Sequence, residues 1–302
     1  MRILVVGYGK MLAALISGAK AALGCDNNRN NENQNNKIVG ALRIDRVKYS
    51  KFTLFFKDIF APSTDYSFIK SHKIYDIKAP SVNSKEFINE VKRLSPDIIL
   101  VGSWSEKFGA EILNLPKFGV VNCHPSLLPR HRGANPYFWA IYSGDDKTGV
   151  TFHKMDENLD AGDILMQAAF KIDPDMTGGD LRDRAANIAR LMVGELLNDI
   201  ECNKIIPVKQ DENKAEYDKY PYEGIDFIDF KENAKRVYDR IRGLKPWAEC
   251  KCNIEDRVYK IKSAKVLDSC TLEGKAGEVL EKTSNKIFRI FCTEGAVEIE
   301  VY

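Results

Sequence analysis

The chain has 302 residues, 44% hydrophobic and 29% charged, with a formal net charge of +2 at pH 7. Those fractions suit an ordinary globular protein and exclude a low-complexity chain, while the balanced charge means that any polyanionic partner has to meet a local patch. No apolar run approaches the roughly eighteen residues of a membrane span, and the start at Met1 lacks a signal peptide's apolar segment, so a cytoplasmic protein with no membrane partner is expected.

Ile3 to Val6 reads as a buried parallel strand, followed by Gly7-Tyr8-Gly9-Lys10-Met11-Leu12 and a helix to about Leu23. This imitates a dinucleotide fingerprint, but Leu12 stands where the third glycine should be. The opening therefore speaks for a doubly wound sheet and against nicotinamide binding. Asn27 to Asn36 has no apolar residue to bury and is expected to be a mobile loop before a strand at Ile38 to Leu42. After Arg43, basic and aromatic residues alternate (Arg46, Lys48, Tyr49, Lys51). They suit a surface that grips an anionic acceptor, although Phe52, Phe55, Phe56 and Ile59 keep helical spacing, which favours a helix with its aromatics inside. Ser84 to Leu94 predicts a helix capped by Ser84, and Asp97 to Val101 an apolar strand leading into Gly102-Ser103-Trp104-Ser105.

The most specific stretch runs from Phe118 to Gln167. A short strand, Gly119-Val120-Val121, delivers Asn122 and His124 at alternate positions, so both side chains leave one face at its carboxyl end, where open α/β sheets place their ligands. Arg130-His131-Arg132-Gly133 is a basic turn fit to hold a negative group, and Asn135-Pro136 opens a helix with Pro in its first turn. A second strand, Thr148 to Met155, precedes the acidic turn from Asp156 to Gly162, which can return a carboxylate beside the first strand. Acyl transfer to an amine develops an oxyanion and moves two protons, so it wants an amide donor, a near-neutral base and an orienting carboxylate. Asn122 and His124 supply the first two. Asp156 and Asp160 both satisfy the spacing for the third.

Asn122-x-His124-Pro125-Ser126-Leu127-Leu128-Pro129, Arg132-Gly133, Thr148-Gly149-Val150-Thr151, Met155-Asp156 and Asp160-Ala161-Gly162-Asp163 occur in this order. Together they resemble the signature of the folate-dependent formyltransferases. The resemblance implies catalysis by Asn122, His124 and Asp160, and 10-formyltetrahydrofolate as formyl donor, lying against Ser126, Leu127, Leu128 and Pro129 with Gly102 and Trp104 lining the same pocket. Arg130 and Arg132 then face the acceptor. The acceptor it implies is a primary amine, that of initiator methionyl-tRNA; a nucleotide-linked amino sugar is the alternative, and hydrolysis of formyltetrahydrofolate a third possibility.

Thr177-Gly178-Gly179-Asp180 leads into a long helix from about Leu181 to Ile200 with one apolar stripe. Lys209 to Tyr222 is polar and reads as a linker, followed by a helix from about Lys231 to Ile241. Short β-like runs then occupy 250–254, 257–266, 277–280, 287–292 and 296–301 and suggest a small open barrel. The expected architecture is α/β: a mostly parallel, doubly wound, Rossmann-like catalytic domain at 1–208, a connecting segment at 209–248 and an OB-like β domain at 249–302. The seven scattered cysteines suit reduced thiols, and Cys250-x-Cys252 is too tight for the usual zinc pair, so no metal is expected.

Overall fold

The computed structural model describes residues 1–25, 36–44, 53, 63–221, 223–267 and 274–302. All of the Asn-rich stretch except Asn36, and the helically spaced apolar positions Phe52, Phe55, Phe56 and Ile59, lie outside the described residues.

In chain order the elements are β1 (Arg2–Gly7), α1 (Gly9–Cys25), β2 (Lys37–Arg43), α2 (Thr64–Ser71), α3 (Lys85–Leu94), β3 (Ile98–Gly102), α4 (Ala110–Asn114), β4 (Val120–His124), β5 (Arg132–Gly133) and α5 (Pro136–Tyr142). They continue with β6 (Lys147–Lys154), β7 (Ile164–Lys171), α6 (Gly178–Glu201), β8 (Tyr217–Asp218), β9 (Phe227–Ile228), α7 (Ala234–Leu244), β10 (Lys251–Ile254), β11 (Arg257–Leu267), β12 (Val279–Ser284), β13 (Ile287–Phe291) and β14 (Ala296–Val301). Contacts divide them between two compact units. One holds Met1–Arg132, Gly149–Ala169 and Asp183–Tyr217; the other holds Gly133–Thr148, Phe170–Arg182 and Asp218–Tyr302.

The first unit is built on the sheet β2-β1-β3-β4-β6-β7. β1 pairs in parallel with β2 and β3, and β3 with β4, while β6 runs antiparallel to β4. The chain goes out from β1 to β2 on one side and returns to β3 on the other, which is the doubly wound pattern the sequence predicts. Ile3, Leu4, Val5 and Val6 on β1 and Ile98, Ile99 and Leu100 on β3 are fully buried, because a parallel sheet covered on both faces gives no side chain access to water. Each such side chain contributes about 1.5–3 kcal/mol of burial. α3 begins where expected. The Ser84 hydroxyl accepts from Phe87 N at 3.2 Å, and Phe87, Val91 and Leu94 fall on its buried face.

The glycine turn after β1 is closed from within the chain. Both oxygens of Asp65 accept from Gly9 N at 3.0 Å, so a carboxylate already sits at the start of α1, where a dinucleotide's phosphate would go. Nearby, the Arg43 side chain is fully buried, with Nη2 at 3.2 Å from Asp76 Oδ2 and Nη1 donating to Ser63 Oγ at 3.3 Å. Arg43, which opens the basic stretch, therefore turns its charge inward. Arg46, Lys48 and Lys51 lie outside the described residues.

In the second unit the sheet order is β12-β13-β14-β11-β10-β9, antiparallel throughout except for β9 with β10. Four of its five main strands fall on runs the alternation predicts, while β12 begins two residues later than the run at 277–280 and extends to Ser284. α7 starts at Ala234, three residues later than Lys231, because Asn233 supplies the cap and accepts from Arg236 N at 2.8 Å. Val237, Ile241 and Leu244 of α7 pack with Phe138, Cys252, Ile261, Phe288 and Ile299 into one core.

Candidate active site

Alternation along β4 sends Asn122 and His124 to the same face, and the antiparallel register places His153 of β6 opposite Asn122 and Thr151 opposite His124. After β6 the chain reverses. Asp156 Oδ1 accepts from Asn158 N at 2.8 Å and so caps the turn, leaving Asp160 to reach the site. Asp160 adopts a left-handed conformation (φ 50°), which Asp tolerates better than most residues. A side chain on Gly162 would collide with the carbonyl oxygen of Lys154, so only glycine lets the turn lie against β6. Gln210 fastens it: its Nε2 donates to the carbonyls of Asp160 at 2.9 Å and Gly162 at 2.7 Å.

The result is a compact polar cluster. Asn122 Nδ2 donates to Asp160 Oδ1 at 3.2 Å, and His124 Nδ1 lies 3.6 Å from Asp160 Oδ2. His153 Nε2 is 3.1 Å from Asn122 Nδ2 and 3.5 Å from Asp160 Oδ1. Of the two spacing-compatible carboxylates, the fold brings Asp160 to the histidine. His124 Nε2 faces the His131 carbonyl at 2.8 Å, and a carbonyl can only accept, so the neutral ring carries its proton there. Nδ1 is then the basic nitrogen, beside a carboxylate that would hold any proton it takes. Burial pushes the His124 pKa below the usual histidine value; the Asp160 charge and the His131 carbonyl pull upward without prevailing. His124 is therefore neutral, and available as a base, at pH 7. Cys123 is no nucleophile, because burial drives its thiol pKa far up.

The other residues singled out from the sequence fall into three groups. Ser126 is fully buried and turns its hydroxyl to the Arg130 carbonyl at 2.7 Å, while Leu128 N donates to Thr151 Oγ1 at 3.3 Å and Gln167 Nε2 to the Leu128 carbonyl at 3.1 Å. The Ser126–Pro129 turn is thus a braced ledge on which Leu127 and Pro129 remain partly exposed. Gly102 ends β3 against Met11 and Leu15, which fill the space a side chain would need. Trp104, just beyond it, buries an indole N–H that has no hydrogen-bond partner among the described residues. Arg130 is half-exposed and pairs with Glu216 at 3.2 Å.

Arg132 differs from its sequence expectation. It is fully buried, and its five N–H donors match five acceptor contacts: Nε and Nη2 to Gln210 Oε1 at 3.1 and 2.9 Å, Nη1 to Glu212 at 3.0 Å and Tyr217 at 2.6 Å, and Nη2 to Glu212 at 2.7 Å. In this arrangement Arg132 holds Gln210, and Gln210 holds the Asp160 turn. Residues with no role assigned from the sequence are His153, Thr151 (named only as part of a motif), Gln167 and Gln210. The first two had a signal, since period two along β6 puts them on one face; Gln210, in a polar stretch, had none.

Residues 1–194 match the family described as formyl transferase, and residues 225–302 that described as formyl transferase, C-terminal domain. Methionyl-tRNA formyltransferase of Lachnospira eligens is 35% identical over 241 residues, covering 78% of this chain and 76% of its own. That of Caldanaerobacter subterraneus subsp. tengcongensis is 35% identical over 240 residues, covering 80% and 76%. Among solved structures, the sugar 3N-formyl transferase WlaRD, determined with dTDP and 5-N-formyl-THF, has a TM-score of 0.70 at 18% identity, over 100% of this chain and 97% of that one. An N-formyltransferase from Helicobacter canadensis, in complex with folinic acid and dTDP-3-aminofucose, has a TM-score of 0.67 at 16% identity over 99% of each chain. At such identities the likeness is one of fold. The chain belongs to the formyl transferase family.

Proposed function

We propose that this chain transfers a formyl group from 10-formyltetrahydrofolate to a primary amine, and that the amine is that of initiator methionyl-tRNA. The observation that carries this is the meeting of Asn122, His124 and Asp160 at the end of β4 with His124 held neutral. The donor supplies a formyl carbon on a nitrogen that can leave. Asn122 offers an N–H to the formyl oxygen as it gains negative charge, His124 accepts a proton from the attacking amine and returns it to the folate nitrogen as the carbon–nitrogen bond to the donor breaks, and Asp160 stabilises the imidazolium in between. The Leu127–Pro129 ledge and the indole N–H of Trp104, which has no partner among the described residues, fit a flat heterocycle rich in acceptors. Residues 1–208 form the catalytic part in this reading, 209–248 connect it, and 249–302 make an accessory β domain; the reaction belongs in the cytoplasm.

For the acceptor, the support is the identity to relatives named methionyl-tRNA formyltransferase over three quarters of their length. One observation favours a nucleotide-linked amino sugar instead: the formal charge is only +2, and the Arg43 and Arg132 charges are turned inward. Incubating the enzyme and formyl donor with charged initiator tRNA, with a panel of nucleotide amino sugars, and with water alone distinguishes the readings. Formylmethionyl-tRNA formed in step with folate release is expected. A formylated sugar alone, or folate release without any amine, overturns the tRNA assignment.

A further inference from the structure

The amide of Asn122 can be oriented only one way. Its nitrogen lies 3.2 Å from Asp160 Oδ1, and a carboxylate has nothing to donate, so the amide NH₂, not its oxygen, points there. That leaves one further N–H. It meets His153 Nε2 at 3.1 Å, which accepts it only if that nitrogen carries a lone pair. The other ring nitrogen satisfies the condition: Nδ1 lies 3.2 Å from the Lys154 carbonyl, which can only accept, so the ring proton belongs on Nδ1. This is the same carbonyl against which Gly162 packs, so one backbone oxygen fixes both the tautomer of His153 and the path of the Asp160 turn. His153 itself is buried.

Both N–H groups of Asn122 are therefore engaged, by acceptors of unequal strength. Asp160 is charged, and a hydrogen bond to a charged acceptor is roughly twice as strong as one between neutral groups. A developing negative charge on the formyl oxygen would displace a neutral imidazole from an N–H, but would gain little by displacing a carboxylate. We propose that His153 is a positioning residue that holds, in place and at low cost of release, the one N–H of Asn122 that is given to the oxyanion. Without it the whole amide could turn about its Cβ–Cγ bond to give Asp160 more of its NH₂, and the transition state would have to recover the N–H from a charged partner.

The inference rests on Asn122 serving as the oxyanion donor, so the test is run in two backgrounds. His153→Leu keeps bulk but removes the acceptor; His153→Gln places an oxygen near the position of Nε2; His153→Asn reaches only as far as Nδ1. Thermal melting identifies the folded variants, and kcat and the KM for formyl donor are measured on those. The expected result is a loss of about tenfold in kcat for Leu and Asn, with KM unchanged and kcat largely restored in Gln. In an Asn122→Ala background the same three substitutions should leave kcat where Asn122→Ala alone puts it. Equal kcat in Leu, Asn and Gln, or the same loss with and without Asn122, overturns the proposal and leaves His153 a packing residue. Should Leu fail to fold, the Gln and Asn comparison decides alone. If Asn122→Ala by itself keeps full activity, it is the role of Asn122 that fails, and the role of His153 goes with it.

Discussion

At the end of β4, His124 and His153 are buried, Asp160 is 10% exposed, and the Arg132 charge is enclosed by Gln210, Glu212 and Tyr217. The sheet of the second unit carries its charges outside, in pairs such as Lys262 with Glu300 and Lys260 with Glu249, each at 2.6 Å. By distance alone the outer pairs look as strong as the Arg132 contacts and stronger than those around His124. Water reverses the order, because solvent screens an exposed pair almost completely, whereas a buried polar group has only the partners the fold provides. The exposed contacts should therefore be the dispensable ones, however short.

The largest effect is expected at the base. His124→Ala should fold normally and lose about two to four decades of turnover, the range for a positioned acid-base group; steady-state kinetics and circular dichroism check both halves. Asn122→Ala should slow transfer roughly a hundredfold or more while leaving donor affinity nearly unchanged. A variant that mainly weakens donor binding would make Asn122 a ligand-holding residue. Gln210→Ala leaves Arg132 and two turn carbonyls short of partners, so it should cost about 1–3 kcal/mol in urea unfolding and lower kcat as the Asp160 turn loosens. An unchanged unfolding midpoint would remove the brace from the site. At the small end, Lys262→Ala breaks one of the shortest ion pairs in the molecule and should leave the melting temperature where it was.

The contrast also explains what the sequence could reveal. The placement of Asn122 and His124 on one face was legible because strand alternation is a local rule, and the C-terminal strands were legible for the same reason, whereas spacing left Asp156 and Asp160 both open and only the resemblance chose Asp160. His153 follows from that rule applied to β6, since Thr151 and His153 alternate toward the face that Asn122 and His124 occupy. Gln210 and Arg132 were not legible. Polar residues in a polar stretch read as exposed, and their burial depends on a contact across many residues of chain, from Arg132 through Gln210 to Gly162, that no spacing encodes. Arg43 hid for the same reason, its partner Asp76 lying far along the sequence. The Gly7-Tyr8-Gly9 turn spoke against a dinucleotide through its missing third glycine, whereas the carboxylate of Asp65 that closes it comes from an unremarkable helix start and had no signal.

The central claim is that a buried, neutral His124 is the base, and the pH dependence of kcat/KM for formyl transfer tests it most directly. Burial lowers the pKa of His124, so the neutral form persists to lower pH than in an ordinary histidine. Activity should hold as pH falls past about 6.5 and decline only below it, as Nδ1 takes up a proton and the base is lost. The residual activity of His124→Ala should lack that limb. An acid limb at or above the ordinary histidine value, or one that survives in His124→Ala, would contradict the assignment.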